Sequence, residues 1–356
     1  MARTNMEAGE ALREALEEGP LILYGWTADA LLATIIALAH SESSEIGLEP
    51  TTTWRPSRQY LESIAVRSRD YKSVVLLGVN WTGVDIDLLA PMVLAPIIVV
   101  DNNYMHILPH RSNVIVLNPS PKGDPRGVWP SVAAIVSSLL GGQHPLLAAA
   151  GIVSRMWSVA PSNRMYQNLA SMAGLNHKED YDLVAECAWQ AYGITAAGDP
   201  RVYGRVPQSV VEASGWDPCK GLLSDTLITT LRADAEESYK AAVENASIEV
   251  HEAKVRVLLE GEGRHYYLAS YMAALEHPDK LAVTGYQDTR ERVNYACAWH
   301  IKGKRPLARK LGEARGDGFE ASGGYQGPLN YLCVKPGKNE AGVKSLVDYL
   351  TRLLSG

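Results

Sequence analysis

The sequence predicts an α/β protein of two domains. An N-terminal parallel sheet is flanked by helices, a long helix connects, and a smaller mixed α/β domain follows. Three observations predict this. Short apolar runs alternate with amphipathic helical stretches through the first part of the chain, the pattern of βαβ units whose sheet is covered on both faces. The stretch DTLITTLRADAEESYKAAVENA (225–246) keeps a helical pattern for about six turns with few breakers. After it, ASIEVHEAKVRVLLEGEG alternates apolar and polar residues and closes on a Gly-x-Gly turn, which opens a second β region. These signals place the domains at 1–222 and 248–356, with the connecting helix at 223–247.

The elements follow in order. A helix from Glu7 to Glu17 leads through Gly19-Pro20 into the apolar strand LILYGW. ADALLATIIALAH has its apolar residues at helical spacing, and Ser57 to Val66 reads as another helix. KSVVLLGVN (72–80), APIIVVD (95–101) and SNVIVLNPS (112–120) read as buried strands. Helical stretches run from Trp129 to Leu140, Pro145 to Trp157, Tyr166 to Ala173, Asp180 to Tyr192 and Gln208 to Ser214. After the long helix come strands near 251–260, 281–286, 294–300 and 330–335, with helices near 264–275, 304–314 and 340–354. In parallel sheets of this kind the site lies at the carboxyl ends of the strands.

Composition narrows the class. With 356 residues, 46% apolar and 21% charged, the chain is that of a globular protein with ample core. A net charge of −6 is not the footprint of a strong nucleic-acid binder. The charge is uneven, because residues 251–356 hold 16 Lys+Arg against 12 Asp+Glu and the remainder holds 18 against 28. The tightest basic cluster, KGKRPLARK, carries Lys302, Lys304, Arg305, Arg309 and Lys310 with no acid. A solvated face is its ordinary reading, and a phosphate-tracking surface the alternative. No run is long and apolar enough for a membrane span, and the first twenty residues lack the apolar core of a signal peptide, so an intracellular protein is expected. Cys187, Cys219, Cys297 and Cys333 are far apart and form no C-x-x-C pair, so four buried, inert thiols are expected. His106 and His110 have i, i+4 spacing but no acidic partner in their neighbourhood of sequence, which argues against zinc. No dinucleotide-binding, Walker-type or nucleophile-elbow motif occurs.

The strand ends carry the informative residues. The first gives Tyr24-Gly25-Trp26-Thr27-Ala28-Asp29-Ala30, the second Leu77-Gly78-Val79-Asn80, the third Asp101-Asn102-Asn103 and the fourth Leu117-Asn118-Pro119. The helix from Pro145 then runs LLAAAGIVSRMW. This order and spacing resemble the DHH phosphoesterase superfamily, RecJ-like, and the likeness spans about residues 18 to 335. The resemblance implies a DHH domain followed by a DHH-associated domain. In that family the first strand ends in His-x-Asp-x-Asp-Gly, the second in Asp, the third in Asp-His-His, and a later helix carries Gly-(Ile/Thr)-x-x-Asp. Those groups hold two Mn²⁺ or Mg²⁺ ions that activate a water.

Carried over one position at a time, the family's first His falls on Gly25 and its first Asp on Thr27, while the second Asp is kept as Asp29. The motif's Gly becomes Ala30, and the second-strand Asp falls on Gly78 or Val79. Asp101 keeps the third-strand Asp, but both imidazoles become Asn102 and Asn103, and the helix Asp becomes Arg155. The family's Gly-Gly-Gly-His loop, which grips substrate phosphates, resembles Ser322-Gly323-Gly324-Tyr325 here. Tyr325 at the His position can stack on a base or simply pack.

Two divalent ions close together repel and need several anionic ligands. Asp29 and Asp101 supply too little negative charge, and Arg155 adds the wrong sign. The site is therefore expected to be degenerate, with no catalytic residue, metal or cofactor, and with the two aspartates capping the turn or helix that follows each. A DHH scaffold without its metals is similar to the RecJ-like relatives of archaeal replisomes and to the Cdc subunit of the CMG (Cdc–MCM–GINS) helicase. That resemblance implies GINS and the MCM helicase as partners, with no enzymatic activity. Two alternatives stand beside it. One is a Mn- or Mg-dependent RecJ-like single-strand exonuclease or oligonucleotide phosphodiesterase. The other is a single-stranded DNA-binding module using Gly323, Gly324, Tyr325, Lys304, Arg305, Arg309 and Lys310.

Overall fold

The computed structural model describes residues 5–103, 105, 107–119, 129–214, 217–300, 307–326, 329–337 and 341–355. They divide into two compact units. The first holds the chain through Thr229 apart from Ala196–Gly198, and the second holds that short stretch and the chain from Thr230 onward.

The first unit opens with α1 (Asn5–Glu17), β1 (Leu21–Gly25), α2 (Ala28–His40), β2 (Gly47–Thr51), α3 (Arg58–Arg67), β3 (Val74–Leu77) and α4 (Gly83–Leu89). It continues with β4 (Ile97–Val100), β5 (Val114–Leu117), α5 (Val132–Leu139), α6 (Pro145–Met156), α7 (Arg164–Met172), α8 (Tyr181–Ala196), α9 (Pro200–Ser214) and α10 (Pro218–Ser224). Its strands form a sheet in the order β2-β1-β3-β4-β5, with every pair parallel. Helices cover it, so β1, β3 and β4 are buried along their whole length and read as unbroken apolar runs. Leu21, Leu23, Val74, Leu76, Ile97 and Val99 pack on one face against Leu61, Ile64, Trp81 and Ile86. The register aligns Tyr24 with Leu77, Leu77 with Val100, and Val100 with Leu117. The ends of these four strands therefore lie along one edge. The strand order reverses between β1 and β3, the usual place for a site in an open parallel sheet.

Several details differ from expectation. The strands are shorter than their apolar runs, because the final residues of each run turn into the strand-end loops. Strand β2 carries no sequence signal, since GLEPT has no apolar run. As an edge strand it tolerates Pro50, which lies opposite Tyr24. The short helices α4 and α10 are further additions to the predicted elements. Helix α9 begins at Pro200 rather than 208 and continues through Pro207.

The second unit comprises α11 (Thr226–Glu244) from Thr230 onward, β6 (Ser247–Val250), β7 (Lys254–Gly261), α12 (Tyr266–Glu276), β8 (Leu281–Asp288) and β9 (Val293–His300). A 3₁₀ turn (Leu307–Lys310), α13 (Leu311–Gly316), β10 (Glu320–Gln326), β11 (Leu329–Lys335) and α14 (Val343–Ser355) complete it. The sheet order is β10-β11-β9-β8-β7-β6, antiparallel except for the parallel pair β7–β8. Val283, Ala296, Ala298, Leu332 and Val334 pack against Leu346, Val347 and Leu350 of α14. An aromatic group holds other core positions, with Trp299 and Tyr331 stacked at 4.8 Å and Tyr267 and Tyr271 edge-on to Trp299.

Three expectations are corrected here. The strand read at 251–260 is a hairpin, β6 and β7, turning at 251–253. The helix read at 304–314 is a 3₁₀ turn followed by one short helix from Leu311, and 301–306 lie outside the described residues. The reading of four thiols fails, because Cys297 and Cys333 form a disulfide. They stand directly opposite each other in β9 and β11, a proximity that 36 residues of separation hide in the sequence. Among the described residues no helix is long and apolar enough to cross a membrane.

Candidate functional site at the strand ends of the first unit

Asp29 sits in the first turn of α2, whose start is fixed by Thr27: its hydroxyl accepts from the Ala30 amide at 3.1 Å. The Asp29 carboxylate does not serve that helix. Its Oδ1 accepts from the Ser131 hydroxyl at 2.6 Å and the Ala133 amide at 3.0 Å, and Oδ2 accepts from the Val132 amide at 2.8 Å. Ser131 in turn accepts from the Ala134 amide at 3.1 Å. Asp29 and Ser131 together satisfy the first three amides of α5, where the helix dipole also favours a negative charge. The aspartate thus caps a helix a hundred residues away, not the one that follows it.

Helix α6 closes on this group through Gly151. A Cβ there would lie 2.6 Å from the Ala133 Cβ and 3.0 Å from Asp29 Oδ1. One turn on, Arg155 projects from the same face and is buried. Burial pushes the Asp29 carboxyl above its ordinary range; the Arg155 charge opposes this, followed by the Ser131 hydroxyl and the two amides. A buried cation, Arg155, thus acts on the Asp29 carboxylate.

Asp101, at the end of β4, is equally committed. Oδ1 accepts from the Asn103 amide at 2.8 Å and from its side-chain nitrogen at 2.6 Å, and Oδ2 from the Asn80 amide at 3.3 Å. This is a turn capped by its own first residue. Burial raises its carboxyl pKa, and the bonds from Asn103, Asn80 and Asn102 oppose the rise. Asn118 at the end of β5 donates to the Asn103 carbonyl at 2.9 Å, and Asn102 to the Trp129 carbonyl at 3.4 Å. Asn80 follows β3 in the left-handed region, φ 61°, a conformation that asparagine tolerates better than most residues. Four asparagines thus knit the strand ends together around one carboxylate.

Gly25, where the resemblance puts a His, has no room for a side chain. A Cβ on Gly25 would lie 2.0 Å from the Gly78 carbonyl oxygen. Over this turn lies Tyr203 of α9, fully buried. Its hydroxyl is 2.7 Å from the Gly25 carbonyl and 3.0 Å from that of Thr27, and its ring stacks on Trp26 at 4.2 Å. The Trp26 indole donates to the Thr195 carbonyl at 2.8 Å, and Tyr24 donates to the Tyr203 carbonyl at 2.7 Å.

Sequence reasoning identifies Asp29, Asp101, Asn102, Asn103 and Arg155. The structure places Asp29 after β1, with the Arg155 charge acting on it, and Asp101 at the end of β4 with Asn102 and Asn103 following it. Asn80 is named there as a strand end without a role, and Ser131 and Tyr203 escape that reasoning. Ser131 had a signal, a serine just before a helical run. Tyr203 had none, since 178 residues separate it from Gly25. His110 has an acidic partner after all: its amide donates to Asp87 at 2.9 Å and its Nδ1 lies 3.7 Å from the same carboxylate. His106 lies outside the described residues.

In the second unit the glycine pair is not in a loop. Gly323 and Gly324 are buried in β10, opposite Leu332 and Tyr331 of β11. A Cβ on Gly323 would lie 3.1 Å from the Tyr331 carbonyl and 3.3 Å from the Ala308 Cα. Its missing side chain lets the 307–310 turn pack on the strand, and Asn330 fixes that turn by accepting from the Leu307 amide at 2.6 Å. Arg309 is exposed on the turn. Lys310 is paired with Glu313 at 2.8 Å. Lys302, Lys304 and Arg305 lie outside the described residues, as does the Tyr325 side chain.

These donors do not fit a two-metal centre. Gly25 and Gly78 have no side chain, Asn102 and Asn103 are neutral amides, Arg155 is a cation, and the two carboxylates already accept from amides and hydroxyls on both oxygens. Two divalent ions need several free anionic ligands. Among the described residues no group of three or more His, Cys, Asp or Glu could hold a metal ion.

No family model matches the sequence, and no curated protein does either. Solved structures do. A DHH-domain structure described as a member of the s1p family of ribosomal proteins superposes with a TM-score of 0.64 at 10% identity, covering 98% of this chain and 90% of that one. An exonuclease RecJ bound to manganese gives 0.55 at 14% identity, covering 99% and 94%. RecJ from Thermus thermophilus, in complex with Mn²⁺, gives 0.56 at 16% identity over 98% of this chain, which spans 55% of that protein. The chain has the fold of the DHH-domain and RecJ proteins.

Proposed function

We propose that this chain is a catalytically inactive RecJ-like protein that binds the GINS complex and supports the MCM replicative helicase. The observation that carries the reading is the commitment of the strand-end carboxylates: Asp29 caps α5 beside Arg155, and Asp101 closes its own turn. A fold retained in full around a site converted to internal hydrogen bonding is used for what it holds.

An apolar surface is available for such a partner. Val84 and Leu88 project from one side of α4, and all of Val84, Leu88, Ile107 and Leu108 are at least two-fifths exposed. The 107–108 backbone lies against Gly83 at the start of α4, and Asp87 binds the His110 amide, so helix and segment form one surface. Leu94, on the connection from α4 to β4, is 99% exposed. Exposed apolar side chains gathered on one helix and its neighbouring segment are the kind of surface that partners cover.

The test is gel filtration of the purified chain with GINS from its own organism. Co-elution is expected, and Leu88→Glu with Leu94→Glu should weaken it by an order of magnitude or more. Failure of the wild-type protein to co-elute overturns the reading. The manganese-bound RecJ structures favour a second reading, a manganese-dependent nuclease. It requires manganese uptake and cleavage of single-stranded DNA, both lost in Asp29→Ala and Asp101→Ala.

A further inference from the structure

The remaining two cysteines lie together in the first unit. Cys187 of α8 and Cys219 of α10 are both buried, with their sulfurs 2.8 Å apart. We propose that Cys187 and Cys219 are a second cross-linking site, so that all four cysteines of the chain pair, one disulfide in each unit.

The spacing excludes the other uses of two thiols. Two cysteines sharing a tetrahedral zinc ion, at bond lengths of about 2.3 Å, hold their sulfurs about 3.7 Å apart. No third metal-ligating side chain stands with them among the described residues. A thiol is a weak hydrogen-bond donor, and the contact between two of them is long. At 2.8 Å the sulfurs are closer than unbonded thiols rest, and a shift of under 1 Å brings them to the roughly 2.05 Å of a disulfide.

Oxidation converts two thiols to one S–S bond, releasing two protons and two electrons. A small-molecule disulfide, such as oxidised glutathione, accepts them and becomes two thiols by thiol–disulfide exchange. The neighbouring Cys219 sulfur, and then burial, push the Cys187 thiol pKa up in the folded protein, so the exchange belongs to folding or transient opening, when a thiolate is reachable.

The cross-link has a structural consequence. It closes the chain between α8 and α10, and the segment it encloses contains α9, which lays Tyr203 over the β1 strand end. The bond would tie that cover down at both ends.

The experiment is peptide mapping of the full chain. The protein is equilibrated with oxidised glutathione, denatured in the presence of N-ethylmaleimide and digested without reduction. A linked pair of peptides containing Cys187 and Cys219 is expected, with no alkylated cysteine before reduction and four after it. Alkylated Cys187 and Cys219, a glutathione adduct on either, or a link from either to Cys297 or Cys333 would overturn the proposal. As a second readout, Cys219→Ser should leave Cys187 alkylated and lower the melting temperature of the oxidised protein by on the order of 5–10 °C. If that variant does not fold, the wild-type map alone decides.

Discussion

Asp29 is the residue on which the reading of this site turns. Its two oxygens meet one hydroxyl and two amides of α5, all buried. Asp29→Ala removes an acceptor from three donors at once and removes the carboxylate on which the Arg155 charge acts. Each buried donor left without a partner costs about 1–3 kcal/mol, and partial relaxation reduces the sum. A loss of about 3 kcal/mol in stability is expected, read by urea denaturation. Asp29→Asn, which keeps one acceptor, should recover part of it. A metal ligand would behave differently, changing manganese response while leaving metal-free stability nearly unaltered.

His265 offers a separate test in the second unit. It is fully buried, its Nε2 lies 2.6 Å from the Ser238 hydroxyl, and burial lowers its pKa to about 4. A base whose folded pKa lies below its unfolded value of about 6.5 binds fewer protons folded than unfolded in between. Its contribution is fully present above pH 6.5 and lost as the pH falls toward 4. The loss should be on the order of 3 kcal/mol, seen as a steeper acid destabilisation of the wild type than of His265→Gln between pH 6.5 and 4. Identical slopes would refute the buried neutral imidazole.

At the scale of elements, the strand ends are legible because each strand is an apolar run that stops abruptly on polar residues. The order of those stops, with Asp29, Asp101 and Arg155, can be read before any geometry. Tyr203 and the Cys297–Cys333 bridge cannot, since their contacts join segments with no local pattern in common. The glycine pair reads as a loop because Ser322-Gly323-Gly324-Tyr325 carries no strand signal. β10 forms there because its partner β11 is an apolar run and the 307–310 turn needs the space that Gly323 leaves. Gly323→Val should therefore cost about 1–3 kcal/mol through contact with the Tyr331 carbonyl and Ala308. That loss, read by thermal melting, should occur with or without nucleic acid. Arg309→Ala is the complementary change, since the side chain is exposed. It should leave stability within about 0.5 kcal/mol, and salt-sensitive single-strand binding is the only property it should alter.

At the scale of the whole molecule, the chain has the fold of the DHH-domain and RecJ structures, and its strand-end carboxylates are taken up in hydrogen bonds within the chain. The strand-end residues constrain one another. A glycine lies where only a glycine fits, against the Gly78 carbonyl; amides satisfy Asp101; an arginine stands opposite Asp29. Supplying two imidazoles should therefore not suffice: Asn102→His with Asn103→His is expected to gain no manganese affinity, because Gly25 and Gly78 offer no side chain and Arg155 carries positive charge. The most direct measurement of the central claim is a calorimetric titration of the wild-type protein with manganese. No saturable binding is expected, and the titration should be indistinguishable from those of Asp29→Asn and Asp101→Asn. Saturable uptake of one or two equivalents by the wild type, lost in both variants, would contradict it.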